Sequence, residues 1–185
     1  REIKKGRKSF FYLLLLNIFC ILIFFDYNYF RERGMFMALR YDAGEIITAM
    51  VTPFNQKREI DYNKAESLAK YLISHGSDSL LVAGTTGEGP TLSHEEEFEL
   101  LSTVKRAVAN HAKVIMNAGS NSTQTAIMAA KWAQKEDVDA ILSVVPYYNK
   151  PSQDGMYEHF SRIAESVDLP IIIYNIPSRT GVNMM

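Results

Sequence analysis

Three short segments hold the residue types that could do chemistry. Gly84-Thr85-Thr86-Gly87-Glu88 joins two hydroxyls to glycine-permitted turns and exposed backbone N–H groups, a combination that suits an anion such as a carboxylate. It also fits an ordinary strand-to-helix turn. Pro146-Tyr147-Tyr148-Asn149-Lys150-Pro151 offers a phenol as a proton relay, although paired tyrosines also simply pack loops. Tyr174-Asn175-Ile176-Pro177-Ser178-Arg179-Thr180-Gly181 carries a second phenol and a guanidinium whose planar fork matches a carboxylate bidentately, whereas an isolated loop arginine is usually solvated.

The elements around these segments decide between the readings. From Tyr41 onward, short apolar β-branched runs alternate with amphipathic stretches. The runs Ile46 to Val51, Ser79 to Ala83, Lys113 to Asn117, Ala140 to Val145 and Ile171 to Tyr174 read as strands. Between them the spacing predicts four helices: one capped by Asp61 and ended by Gly76, one opened by a Ser93/Glu96 capping box with the stripe Phe98, Leu101, Val104 and Val108, then Thr123 to Lys135 and Gln153 to Ser166. Strands apolar along their whole length, such as Ile171-Ile172-Ile173, belong in a parallel sheet covered by helices. A doubly wound sheet and a (β/α)8 TIM barrel both fit. The first strand-helix turn, Thr52-Pro53-Phe54-Asn55, lacks a dinucleotide-binding glycine fingerprint, and all three chemistry-bearing segments follow strand ends, where a barrel builds its site. The expectation is α/β, a (β/α)8 barrel of which this chain carries about the first five β/α units.

Taken in order, these segments resemble the dihydrodipicolinate synthase (4-hydroxy-tetrahydrodipicolinate synthase) family, and Thr52-Pro53-Phe54 fits as well. The likeness covers about residues 44 to 185, and Ser178-Arg179-Thr180-Gly181 is its most discriminating part within the pyruvate-dependent aldolases. The resemblance implies a class I aldolase-type lyase of lysine and diaminopimelate biosynthesis that needs no cofactor or metal. Pyruvate forms a Schiff base with a barrel lysine, loses a methyl proton, and attacks aspartate semialdehyde. By motif position Thr85 and Thr86 hold the pyruvate carboxylate. Thr85, Tyr148 and Tyr174 form a proton relay, with Tyr148 entering a neighbouring subunit's site in a homo-oligomer, a dimer of dimers. Arg179 binds the semialdehyde's carboxylate. His94, Asn121 and Tyr147 fall where the family places a lysine-feedback site, from which Glu97 and Thr125 depart. Another aldehyde substrate, as in an N-acetylneuraminate or sugar-acid lyase, keeps the same superfamily.

The resemblance places the Schiff-base lysine on the strand after Gly181, and Met185 is four residues on. A nucleophilic amine needs desolvation to lower its pKa. Lys113 opens a strand, at the wrong end of the barrel, and Lys150 sits in a loop, so neither serves as a substitute. A barrel takes about 250 residues, against 151 from Met35 to Met185. The expectation is a catalytically inactive portion whose first and fifth strands present unpaired, aggregation-prone edges.

Composition excludes other classes and divides the chain. The 185 residues have a net charge of -1, no electrostatic footprint for nucleic acid. One cysteine, Cys20, and four histidines give neither a disulfide framework nor a zinc spacing. That near neutrality sums two unlike pieces: residues 1 to 34 carry seven basic against three acidic groups, a net of +4, and the rest thirteen against eighteen, a net of -5. Within the first piece Phe10 to Phe25 is a 16-residue apolar run behind a basic flank, patterned like a signal anchor but short of the roughly 20 residues a spanning helix needs. Residues 1 to 34 are therefore expected to be an extension outside the mature enzyme, with 35 to 185 as its domain in the cytoplasm. A membrane-anchored, non-catalytic half-barrel is the alternative. Glu95-Glu96-Glu97 reads as a charged helix start, not a metal site.

Overall fold

A computed structural model describes residues 14–16, 20–25 and 41–185, with only the backbone given for the first two stretches. The boundary at residues 34 and 35, Met35 and Met37, and the basic flank lie outside the described residues. Strands β3 (Ile47–Ala49), β4 (Ser79–Val82), β5 (Lys113–Asn117), β6 (Ala140–Val144) and β7 (Ile171–Asn175) form a parallel sheet in sequence order. Helices α1 (Tyr62–Ser74), α2 (His94–Val108), α3 (Thr123–Lys135) and α4 (Gln153–Ala164) connect successive strands, and a single turn, α5 (Pro177–Thr180), follows β7. This is the (β/α)8 order expected, with five strands of it present.

Each connecting helix begins where a side chain satisfies an otherwise orphaned N–H. Asp61 accepts from the Lys64 N–H at 3.0 Å, and Ser122 and Ser152 accept from those of Thr125 and Gly155. At α2 the capping box closes in both directions, the Ser93 N–H donating to Glu96 Oε2 at 2.8 Å and the Glu96 N–H to Ser93 Oγ at 3.3 Å. These caps fix where each loop ends, and therefore how much chain each loop has to build a site.

Alternation along the strands sorts the core into two layers. Leu80, Val82, Val114, Met116, Ile141, Ile171 and Ile173 pack under the helices against Leu101, Val104, Met156 and Ile163. Alanines supply much of the helix side, Ala65, Ala69, Ala126, Ala130 and Ala133 all being buried, so the helices approach the sheet closely. On the opposite, concave face Ile115, Ala140, Leu142 and Ile172 form a separate cluster that Tyr41, Ile47, Leu81 and Tyr174 join.

One expectation is corrected here. The outer edge of β7 is not bare: β2 (Cys20–Phe25) pairs with it antiparallel along its whole length, from Ile21 opposite Asn175 to Phe25 opposite Ile171. A further strand, β1 (Leu14–Leu16), pairs with β2. The seven-stranded order is β1-β2-β7-β6-β5-β4-β3, so β3 does end the sheet, as expected. The sequence signal was correct about an apolar run, but such a run is equally a strand, and its partner lies far along the chain.

Candidate active site at the carboxyl ends of the strands

Because the five strands are parallel, the loops after β3, β4, β5, β6 and β7 emerge at one end, and each is tied to the next. Thr52, buried in the loop after β3, donates its hydroxyl to the Gly87 carbonyl at 2.6 Å. Asn117, ending β5, donates to the Ala83 carbonyl at 3.0 Å. Asn121 donates to the Tyr147 carbonyl at 3.2 Å, and Asn149 to the Asn121 carbonyl at 3.1 Å. Gln153 donates to the Asn183 carbonyl at 2.8 Å, joining the start of α4 to the segment after α5.

The loop after β4 is a buried base with an exposed tip. Ala83 and Glu88 both lie at positive φ, +54° and +56°, bracketing it. The Gly87 and Gly89 N–H groups both donate to the Gly84 carbonyl. A β-carbon at Gly89 would lie 2.0 Å from the Ala83 carbonyl oxygen, and one at Gly87 would lie 2.9 Å from that of Met50, so both positions require glycine. Thr85 and Thr86 form the exposed tip. Among the described residues neither hydroxyl is engaged, an arrangement able to receive an anion.

The loop after β6 carries Tyr148 in a strained turn. The Asn149 N–H donates to the Tyr147 carbonyl at 2.9 Å across Tyr148 at φ +72°, the three-residue γ-turn that is rare because it is costly. Its ring is 89% exposed, while Tyr147 is half-buried. Lys150, also at positive φ, lays its stem over Gly181, where a β-carbon would meet Lys150 Cε at 2.9 Å. Gly181 is itself left-handed, φ +74°, and caps α5.

After β7 the chain folds back on a buried amide. Asn175 donates to Asn183 Oδ1 at 2.9 Å and to the Met184 carbonyl at 3.3 Å, and accepts from the Met184 N–H at 3.3 Å. Thr180, also buried, holds the turn through the Ile176 and Val182 carbonyls. The exposed Arg179 is displayed on this frame, and half-buried Tyr174 faces inward with Leu142 and Ile172.

The expected site residues thus divide. Thr85, Thr86, Tyr148, Tyr174 and Arg179 share one end of the sheet, and Asn121 joins Tyr147 there. His94 instead pairs with Glu97 at 3.2 Å and stacks over Phe98, which stacks on Trp132. Burial pushes the Glu97 carboxyl up, with His94 opposing the shift. Lys113 lies at the opposite end of the sheet, its ammonium 5.1 Å from the Tyr41 ring centroid. Thr52 and Asn175 were noted only as members of motifs, and Asn117 and the strained Ala83 only as ends of strands, so none was picked out from sequence as a support of the site. Their roles depend on contacts across loops, and an asparagine ending a strand was the available signal for two of them. Two surface recesses lie elsewhere, one of about 780 Å³ between α3 and α4 and one of about 470 Å³ at the amino ends of the strands. Among the described residues no group of three or more His, Cys, Asp or Glu is placed to hold a metal ion, and no helix is long and apolar enough to cross a membrane.

Comparison with known proteins assigns this frame. The dihydrodipicolinate synthetase family model matches residues 42–185. The 4-hydroxy-tetrahydrodipicolinate synthase of a Synechococcus species is 57% identical over 141 residues, 76% of this chain and 46% of that protein. The Microcystis aeruginosa protein of the same name is 57% identical over 142 residues, 76% of this chain and 48% of its own. Among solved structures, the lysine-bound synthase of Cyanidioschyzon merolae superposes with a TM-score of 0.76 at 54% identity, over 77% of this chain and 49% of that one. The pyruvate complex of the Acinetobacter baumannii enzyme gives 0.76 at 41% identity over the same shares. The chain spans about half the length of the relatives it matches. With five parallel β/α units and the three loop motifs in place, the chain belongs to the dihydrodipicolinate synthetase family.

Proposed function

We propose that this chain forms the substrate-binding portion of a lyase that condenses pyruvate with aspartate semialdehyde to give 4-hydroxy-tetrahydrodipicolinate. The observation that carries the reading is the stitched set of loops at one end of the sheet, which displays Thr85, Thr86, Tyr148 and Arg179 on buried supports beside Tyr174. In this reading Thr85 and Thr86 hold the pyruvate carboxylate with hydroxyls that have no competing bond among the described residues. Arg179 takes the carboxylate of the semialdehyde through its planar fork. Tyr174, on the inner face, passes a proton at the imine carbon through Thr85 and Tyr148. A phenol with an ordinary pKa near 10 needs such hydrogen-bonding neighbours to work near neutrality.

The Schiff base requires a desolvated amine. Lys150 lies exposed on Gly181 and Lys113 opens β5 at the far end, so in this reading the nucleophile belongs to the strand after the Arg179 loop, and residues 1–185 alone form no pyruvyl adduct. The strained, 89% exposed Tyr148 supports a ring built to project into a second copy, within a dimer of dimers in the cytoplasm. His94, Asn121 and Tyr147 remain proposed for lysine feedback, with His94 held apart by Glu97.

Steady-state assay of the protein expressed from the whole gene tests the reading. The expected result is turnover of pyruvate with aspartate semialdehyde at a kcat/KM at least about a hundredfold above cleavage of N-acetylneuraminate, the scale of discrimination set by differently placed polar groups. The reverse ratio would assign a sugar-acid lyase.

A further inference from the structure

We propose that β2 is a displaceable edge cap, holding the position on β7 where a (β/α)8 barrel adds its sixth strand, so that the capped and closed-barrel states exclude each other. A strand has two edges. That of β7 toward β6 is used from Ile171 to Tyr174, and β2 occupies the other over all five residues. No further strand can pair with β7 until β2 leaves. The direction of β2 marks it as a substitute, because barrel strands run parallel and β2 runs antiparallel.

Its sequence and reach suit the task. Cys20 to Phe25 has no charge, proline or glycine and is rich in β-branched and aromatic residues. Five inter-strand steps put β2 about 24 Å from β3 along the sheet. The 21 residues between Phe25 and Ile47 reach up to about 70 Å when extended. The pairing closes a loop from Phe25 to Ile171, a separation of 146 residues. A strand arriving through one βα unit closes about 30 residues. With the intervening sheet formed, the flexible tether is only the 21 residues before Ile47, comparable to one βα unit, so loop closure favours neither strand. The cap protects an edge that would otherwise template aggregation, and a barrel strand can take that edge only by displacing it.

The functional consequence rests on the reading above: Leu22 lies opposite Tyr174, so the cap stands where the strand with the Schiff-base amine belongs, and the capped state is inactive. The pairing itself does not depend on that reading.

Hydrogen exchange with mass spectrometry on the 185-residue chain tests the cap. The expected result is slowed exchange in both 20–25 and 171–175, and loss of slow exchange at the outward amides of 171–175 in an Ile23→Pro/Phe24→Pro variant. Amides 113–117, held between two strands, stay slow and report that the variant folds. If the variant does not fold, the intact chain alone decides. Exchange of 20–25 at the unstructured rate would overturn the proposal. So would unchanged protection of 171–175 in a folded variant, or protection of 20–25 only when phosphatidylglycerol vesicles are added, which would assign the segment to a bilayer.

Discussion

Gly89→Ala should damage the loop that displays Thr85 and Thr86, while Gly84→Ala, five residues earlier in the same loop, should not. A β-carbon at Gly89 would sit 2.0 Å from the Ala83 carbonyl oxygen and 2.9 Å from its carbon. Relief needs a movement of more than about 1 Å by backbone that also accepts from Asn117 at 3.0 Å. Forced repacking of that kind costs about 1–3 kcal/mol. At Gly84 the nearest atom is Leu81 Cδ2 at 3.2 Å, the free end of a side chain that gives way by a rotamer adjustment, at a cost below about 1 kcal/mol. For a domain of this size 1 kcal/mol shifts Tm by about 2–4 °C, so Gly89→Ala should melt about 2–12 °C below the parent. The one tryptophan, Trp132, provides the assay, since its ring stacks on Phe98 with centroids 3.6 Å apart and its emission should change as α2 and α3 separate. Equal melting temperatures for Gly89→Ala and the parent would mean that the loop absorbs the 2.0 Å contact without cost, against this expectation.

Other outcomes follow from the same frame. Thr52→Val should lower the urea midpoint by the equivalent of about 1–3 kcal/mol at an unchanged m-value, since it leaves the Gly87 carbonyl buried without its 2.6 Å donor. His159 is 4% exposed, bonded through Nδ1 to Thr123 with Nε2 unpartnered among the described residues, and burial lowers its pKa. The unfolded chain therefore binds a proton from about pH 6.5 downward that the folded chain refuses, and stability should fall with acidification by at most about 1.4 kcal/mol per pH unit. Urea titrations from pH 7.5 to 5 should show that slope, reduced in His159→Gln. Asn175→Leu should speed amide exchange in residues 181–185, because the Met184 N–H loses its acceptor.

The helix starts were legible where the cap could be named, Asp61 and Ser93 with Glu96 each acting within three residues of themselves, whereas the Ser122 and Ser152 caps were not singled out. The strands were legible from their apolar runs, although β3 stops at Ala49, as the chain turns into the Thr52 loop, and α4 stops at Ala164, short of Ser166. The motif residues of the site could be named, yet their supports could not. Asn175 looks like one more polar loop residue until residues 183 and 184 come back to it. Gly89 looks like part of a Gly-Pro turn until the Ala83 carbonyl is seen against it. Tyr148 shows nothing of its γ-turn in its side chain type. The run at Cys20 to Phe25 carries the same apolarity whether it meets lipid or a sheet edge 146 residues away, and only the pairing partner separates the two.

In the proposed function residues 1–185 bind substrate carboxylates and leave the Schiff-base amine to a following strand. Intact-mass measurement after borohydride reduction of the 185-residue chain with pyruvate tests it most directly. The expected result is the unmodified mass, and a stable reduced pyruvyl adduct mapping to Lys150 or Lys113 would overturn the proposal.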